Sequence, residues 1–137
     1  MNSIVRAAIL LCFAACLSIS AHGQGAADYK SLDTMVDKAL AGYNASDSKV
    51  FFADYAKLVA AVATETTFNA MYKGAYLQTY GKYLSRQPIK AETVLEGNTP
   101  LLVYQAEFEK NKKVKISVNF FKEAGAFKVM QIQFAGM

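Results

Sequence analysis

The sequence predicts an α+β domain in which three N-terminal helices pack on a four-stranded antiparallel sheet. From Leu101 to Phe134, three consecutive runs alternate apolar and polar residues at the two-residue strand period. Upstream, from Asp28 to Tyr80, apolar residues recur at three- and four-residue spacing, the signature of helices with one greasy face. Turn-forming residues separate these blocks: Asn44-Ala45-Ser46-Asp47, Gly81, and Glu96-Gly97-Asn98-Thr99-Pro100.

The chain opens with a short polar start carrying Arg6, an apolar run from Ala7 to Leu17, and the small-x-small triplet Ala21-His22-Gly23. This layout is that of a secretory signal peptide over residues 1–23, leaving residues 24–137 as one domain, secreted or periplasmic. The run is shorter than the roughly 20 residues that span a bilayer, so no stable membrane span is expected in the mature chain. A lipoprotein reading with Cys16 as the lipidated residue is disfavoured. Phe13 is a poor substitute for the usual Leu, and Leu17-Ser18-Ile19 continues the apolar run where a polar tether belongs.

Loss of that leader removes Cys12, Cys16 and His22, the only cysteines and the only histidine. The mature domain can then make no disulfide, no Cys nucleophile, no His general base and no Cys/His zinc site, so no metal or cofactor is expected. It must be held by its core, and at this size about two-thirds of the unfolded surface can be buried. Of 15 Lys and Arg, Arg6 leaves with the leader; the rest against 11 Asp and Glu give about +3. Arg86 is then the one arginine. Specific readers of nucleic acid favour the planar arginine fork, so no nucleic-acid partner is expected.

In the first helix, Asp28 to Tyr43, Leu32, Met35, Val36, Ala39, Leu40 and Tyr43 form the apolar stripe, and Lys30, Asp33, Asp37 and Lys38 the wet side. Asp47 or Ser48 then caps a second helix, about Ser48 to Ala63, with Phe51, Tyr55, Leu58, Val59 and Val62 on one side and Asp54 and Lys57 on the other. Thr64-Glu65-Thr66-Thr67 breaks it, and a third helix covers Thr67 to Tyr80. Its Tyr72, Tyr76 and Tyr80, with Tyr83 beyond, lay rings along one side. That ladder reads either as a ring-lined cleft or, the better match to such spacing, as a core-facing stripe with hydroxyls at the rim.

The first strand is expected over Ile89 to Leu95, with Ile89, Ala91, Thr93 and Leu95 on one face. In the next three strands, Leu102, Tyr104, Ala106 and Phe108, then Val114, Ile116, Val118 and Phe120, then Met130, Ile132 and Phe134 form the inward face. A three-residue loop, Lys110-Asn111-Lys112, pairs Phe108 with Val114 and Tyr104 with Val118, and sets Glu107 against Lys115 on the wet face. A turn at Ala124-Gly125-Ala126 sets Phe120 against Met130 and Val118 against Ile132. It also brings Lys122 and Lys128 together at the edge of the buried side, where two ammonium groups must reach water.

The connection Tyr43-Asn44-Ala45-Ser46-Asp47, the helix start Thr67-Phe68, the exit Tyr80-Gly81-Lys82 and the strands Val103 to Phe108, Val114 to Phe121 and Lys128 to Phe134 together resemble the nuclear transport factor 2-like superfamily. The likeness is greatest to its small secreted bacterial members of unknown function. It implies a cone with a curved sheet of cystatin-like topology. It also implies an interior pocket, which ketosteroid isomerase, scytalone dehydratase and polyketide cyclases furnish with Asp, His or Tyr. Here Tyr55, Tyr72, Tyr76, Tyr104 and Phe120 would line that pocket and Lys122 and Lys128 its rim. No catalytic residue is assigned, because a general base needs a titratable group within reach and the inward sheet positions hold no Asp or Glu. Asp54 is the nearest helical candidate, on a polar side. The protease-inhibitor motif Gln-x-Val-x-Gly of cystatins is absent from the hairpins.

The expected function is therefore a non-catalytic binding domain for a small, partly apolar ligand or a protein partner. The first alternative is an isomerase- or dehydratase-like enzyme using Tyr and one carboxylate. The second is a dimerisation module, since superfamily sheets often pair and Phe121 lies alone among polar neighbours on the outer face, marking a possible homodimer face.

Overall fold

The computed structural model describes residues 26–137; the leader expected over residues 1–23 lies outside the described residues. Helix α1 spans Tyr29–Ala45 and buries Leu32, Val36, Ala39, Leu40 and Tyr43, the stripe its periodicity predicts. It ends at Ser46, whose φ of 54° is left-handed. Asp47 caps the short α2, Ser48–Phe51, by accepting from the Val50 N–H at 3.2 Å. Gly42 makes this tight corner possible: a Cβ there would stand 2.5 Å from the Phe51 nitrogen.

The long second helix does not form. Past Phe51 the chain makes one further turn through Phe52–Asp54 and then leaves the helical path, because the Ala56 N–H donates to the Val129 carbonyl and the Val129 N–H to the Asp54 carbonyl, each at 2.8 Å. Sheet pairing thus outcompetes the helical period at Tyr55, and only a 3₁₀ turn, Lys57–Val59, follows. Both Glu123 oxygens accept from the Lys57 and Leu58 N–H groups, and Leu58 and Val62 stay exposed. Thr64 breaks and recaps the chain as expected, accepting from the Thr67 N–H.

Helix α3, Glu65–Thr67, continues into a π-helical stretch, Phe68–Tyr76, and then α4, Leu77–Tyr80. Gly74 accommodates the wider turn, since a Cβ there would meet the Asn69 carbonyl oxygen at 2.6 Å. The result is an unbroken ladder of rings: Phe68–Tyr72 centroids 5.8 Å apart, Tyr72–Tyr76 5.4 Å and Tyr76–Tyr80 6.1 Å.

Four antiparallel strands, β1 Tyr83–Pro88, β2 Leu101–Phe108, β3 Val114–Glu123 and β4 Ala126–Gly136, pair in sequence order. The α+β class with a four-stranded antiparallel sheet is as expected. The first strand is not Ile89 to Leu95. The Glu92 and Thr93 N–H groups bond back to the Ile89 and Lys90 carbonyls, turning that segment, and only Val94 bridges to Leu101. The strand forms earlier because the Asn44 amide holds Tyr83, its Oδ1 accepting from the Tyr83 N–H and its Nδ2 donating to the Tyr83 carbonyl, each at 2.8 Å.

Both predicted hairpin registers need adjustment. In the first, Tyr104 faces Ile116 and Ala106 faces Val114, two residues from the expected pairing, and Lys115 faces Gln105 rather than Glu107. A slip of two keeps every side chain on its face, so the inward row is buried as expected. Lys115 instead ion-pairs with Glu92 at 2.7 Å. In the second, Val118 faces Ile132 as expected, but a bulge at Asn119/Phe120 then sets Phe120 against Val129. Val129 is buried in the place expected for Met130. The turn is tighter than expected, with positive φ at Ala124 and Gly125.

Candidate functional site

The interior behind the ring ladder is packed. Tyr72, Tyr104 and Phe120 are fully buried, and Tyr55 and Tyr76 pack against the core. The Phe51 ring lies 4.2 Å from that of Tyr72, 5.3 Å from Phe68 and 5.7 Å from Tyr55. The Tyr72 hydroxyl donates to the Ile132 carbonyl at 2.6 Å. Burial pushes the Tyr72 phenol up to about 12 and that of Tyr55 well above its ordinary value. Four of the five expected lining residues, Tyr55, Tyr72, Tyr76 and Phe120, belong to the packed core or lie against it. Tyr104 alone reaches a hollow.

Lys122 and Lys128 do not form a common rim. The β4 bulge places Lys122 opposite Phe127 and Lys128 opposite Phe121, so the two lysines take opposite faces. Lys122 Nζ lies 5.7 Å from the Phe127 ring centroid. Phe121 is half-exposed on the outer face, and Asp54 stands 4.0 Å from Lys38.

The most concentrated group of polar contacts lies where α1 crosses β1. Tyr29, Asp33 and Asp37, four residues apart, form one ridge of α1. A bulge between Tyr83 and Ser85 turns Tyr83, Arg86 and Pro88 to the inner face of β1, with Arg86 opposite Ala106 and Pro88 opposite Tyr104. Arg86 Nη2 meets Asp33 Oδ1 at 2.8 Å and Asp37 Oδ1 at 2.6 Å, while Nη1 donates to the Tyr83 hydroxyl at 3.0 Å. Its guanidinium carbon lies 4.9 Å from the Tyr104 ring centroid. The Tyr104 hydroxyl donates to Asp33 Oδ1 at 2.7 Å.

Burial works against the charge of Arg86, but Asp33 and Asp37 outweigh it and hold the guanidinium above its ordinary value. Burial, then the Asp33 contact, pushes the Tyr104 phenol far up. The Arg86 guanidinium therefore keeps its charge and the Tyr104 phenol stays neutral at neutral pH. Two hollows adjoin it and share Tyr29 and Pro88. One, about 390 Å³, is polar and is walled also by Asp33, Tyr83, Arg86 and Tyr104. The other, about 320 Å³, is apolar and is closed by Lys90, Thr93 and Leu95.

Neither a family model nor a curated protein matches the chain, so function rests on the site alone. By helical period alone Asp33 and Asp37 fall on a solvated face, and nothing near Arg86 in the sequence marks its partners. The signal available in the sequence is an arginine that stands alone among residues 26–137 together with an i, i+4 aspartate pair. Among the described residues, no cluster of His, Cys, Asp and Glu could hold a metal ion, and no helix is long and apolar enough to cross a membrane.

Proposed function

We propose that the protein is a non-catalytic, secreted or periplasmic binding domain for a small, partly apolar molecule, seated in the paired hollows between α1, β1 and the segment after β1. The observation that supports this reading is the contiguity of a polar and an apolar hollow through Tyr29 and Pro88. Binding sites commonly join an apolar wall to a few fixed polar groups, and here ion pairs and hydrogen bonds hold those groups rigid. A nuclear transport factor 2-like cone is part of the same proposal, supported by α1 and the ring ladder covering the inner face of a four-stranded meander. NMR titration with phenethyl alcohol, a small neutral aromatic probe, tests the site. Shift changes should concentrate at Tyr29, Lys90, Thr93 and Leu95, and changes confined to other surfaces, or none, would refute it.

One observation favours the enzyme reading. A fully buried tyrosine hydroxyl, Tyr104, contacts a carboxylate, Asp33, as an isomerase- or dehydratase-like mechanism would require. The same carboxylate oxygen also accepts from Arg86, which leaves it poorly placed to take a proton from substrate. Deuterium exchange into an α-acidic ketone, accelerated by the protein and abolished by Asp33→Asn, would establish this second reading over the first.

A further inference from the structure

If the paired hollows bind a small molecule, as proposed above, their charges select its class. Those charges are unequally presented. The Arg86 side chain is only 9% exposed and both its near aspartates contact the same nitrogen, Nη2. The Asp33 side chain is 29% exposed and that of Asp37 64%. One guanidinium against two carboxylates leaves a formal charge of −1, and the cation is the member turned inward. Tyr29 and Tyr83 line the same hollow, and the Tyr83 hydroxyl already accepts from Arg86. A visiting molecule therefore meets acceptors and negative charge, while the fork that would take a carboxylate or phosphate is already committed.

The apolar hollow supplies the other half. Pro88, Thr93 and Leu95 offer hydrocarbon to a ligand body, and Lys90 stands on the same wall. The wall there is almost wholly apolar and gives a ligand cation nothing to pair with, which favours the orientation with the cationic end toward Asp33. We infer that this site takes an organic ammonium with an apolar body, amine end at Asp33, where Asp37 on the far side of the Arg86 guanidinium adds a second negative charge, and body against Pro88 and Leu95.

Titration calorimetry with three probes of one shape, phenethylamine, phenethyl alcohol and hydrocinnamate, tests this at neutral pH. The amine should bind about ten-fold more tightly than the alcohol, and hydrocinnamate most weakly. Asp37→Asn, which leaves the Arg86–Asp33 pair in place, should bring amine and alcohol to within about three-fold. Should that variant fail to fold, added salt serves on the unaltered protein: it should weaken the amine and spare the alcohol. Equal binding of amine and alcohol overturns the ammonium inference and leaves the binding reading standing. Tightest binding by hydrocinnamate overturns it in favour of Lys90. Binding by none of the three fails both readings.

Discussion

Tyr55 and Tyr72 carry the same hydroxyl into the same aromatic cluster, yet their hydroxyls are not equally satisfied. Tyr72 donates to the Ile132 carbonyl at 2.6 Å, whereas the Tyr55 hydroxyl is buried without a partner, the one such side-chain atom among the described residues. A buried polar atom left unpaired keeps its desolvation penalty and gains nothing back. The two substitutions to phenylalanine should therefore differ in sign. Tyr72→Phe strips a donor from a buried carbonyl and should cost about 1–3 kcal/mol. Tyr55→Phe removes an orphaned hydroxyl while keeping the ring, and should leave stability unchanged or raise it by up to about 1 kcal/mol. Urea midpoints at constant slope measure both, and equal losses would mean that the Tyr55 hydroxyl has a partner in solution.

At the scale of elements, the most exacting junction is the corner between α1 and α2. A methyl group at Gly42 would overlap the backbone of Phe51, which no rotamer change can relieve. Gly42→Ala should thus cost about 1–3 kcal/mol even though alanine favours helices, and a thermal midpoint equal to the parent's would show that α2 shifts freely. Elements also show which parts of the structure were legible. The inward row of β2 and β3 could be read directly, because alternation depends only on parity and survives a two-residue slip in register. Bulges break parity, and the sequence does not announce them: Met130 gave its place to Val129 through one, and Arg86 joined Tyr83 on the inner face through another. Helical period likewise failed from Ala53 onward, where hydrogen bonds to Val129, distant in sequence, set the backbone. The candidate site was hidden for the same reason, since Arg86 and its aspartates lie 53 and 49 positions apart and meet only once Asn44 has fixed where β1 begins.

For the whole molecule, the absence of Cys and His from the described residues leaves buried phenols as the main link between stability and pH on the alkaline side. Tyr43, Tyr55, Tyr72 and Tyr104 come from different elements, converge on one core, and are all pushed upward, with burial the largest cause in each. A phenol whose folded value is raised contributes stability that is fully present below its ordinary value of 10.0 and is lost as pH rises toward the folded one. For Tyr72 the window runs from about pH 10 to about pH 12 and corresponds to roughly 3 kcal/mol. The other three act in the same direction, so stability should fall steeply above pH 10. Phenolate absorbance of the buried tyrosines should then appear in one cooperative step that coincides with loss of circular dichroism. Tyr55→Phe removes one phenol that ionises on unfolding and should move that step to higher pH. A gradual titration with secondary structure intact would show instead that hydroxide reaches these rings without opening the core, and that the four tyrosines do not act as one buried unit.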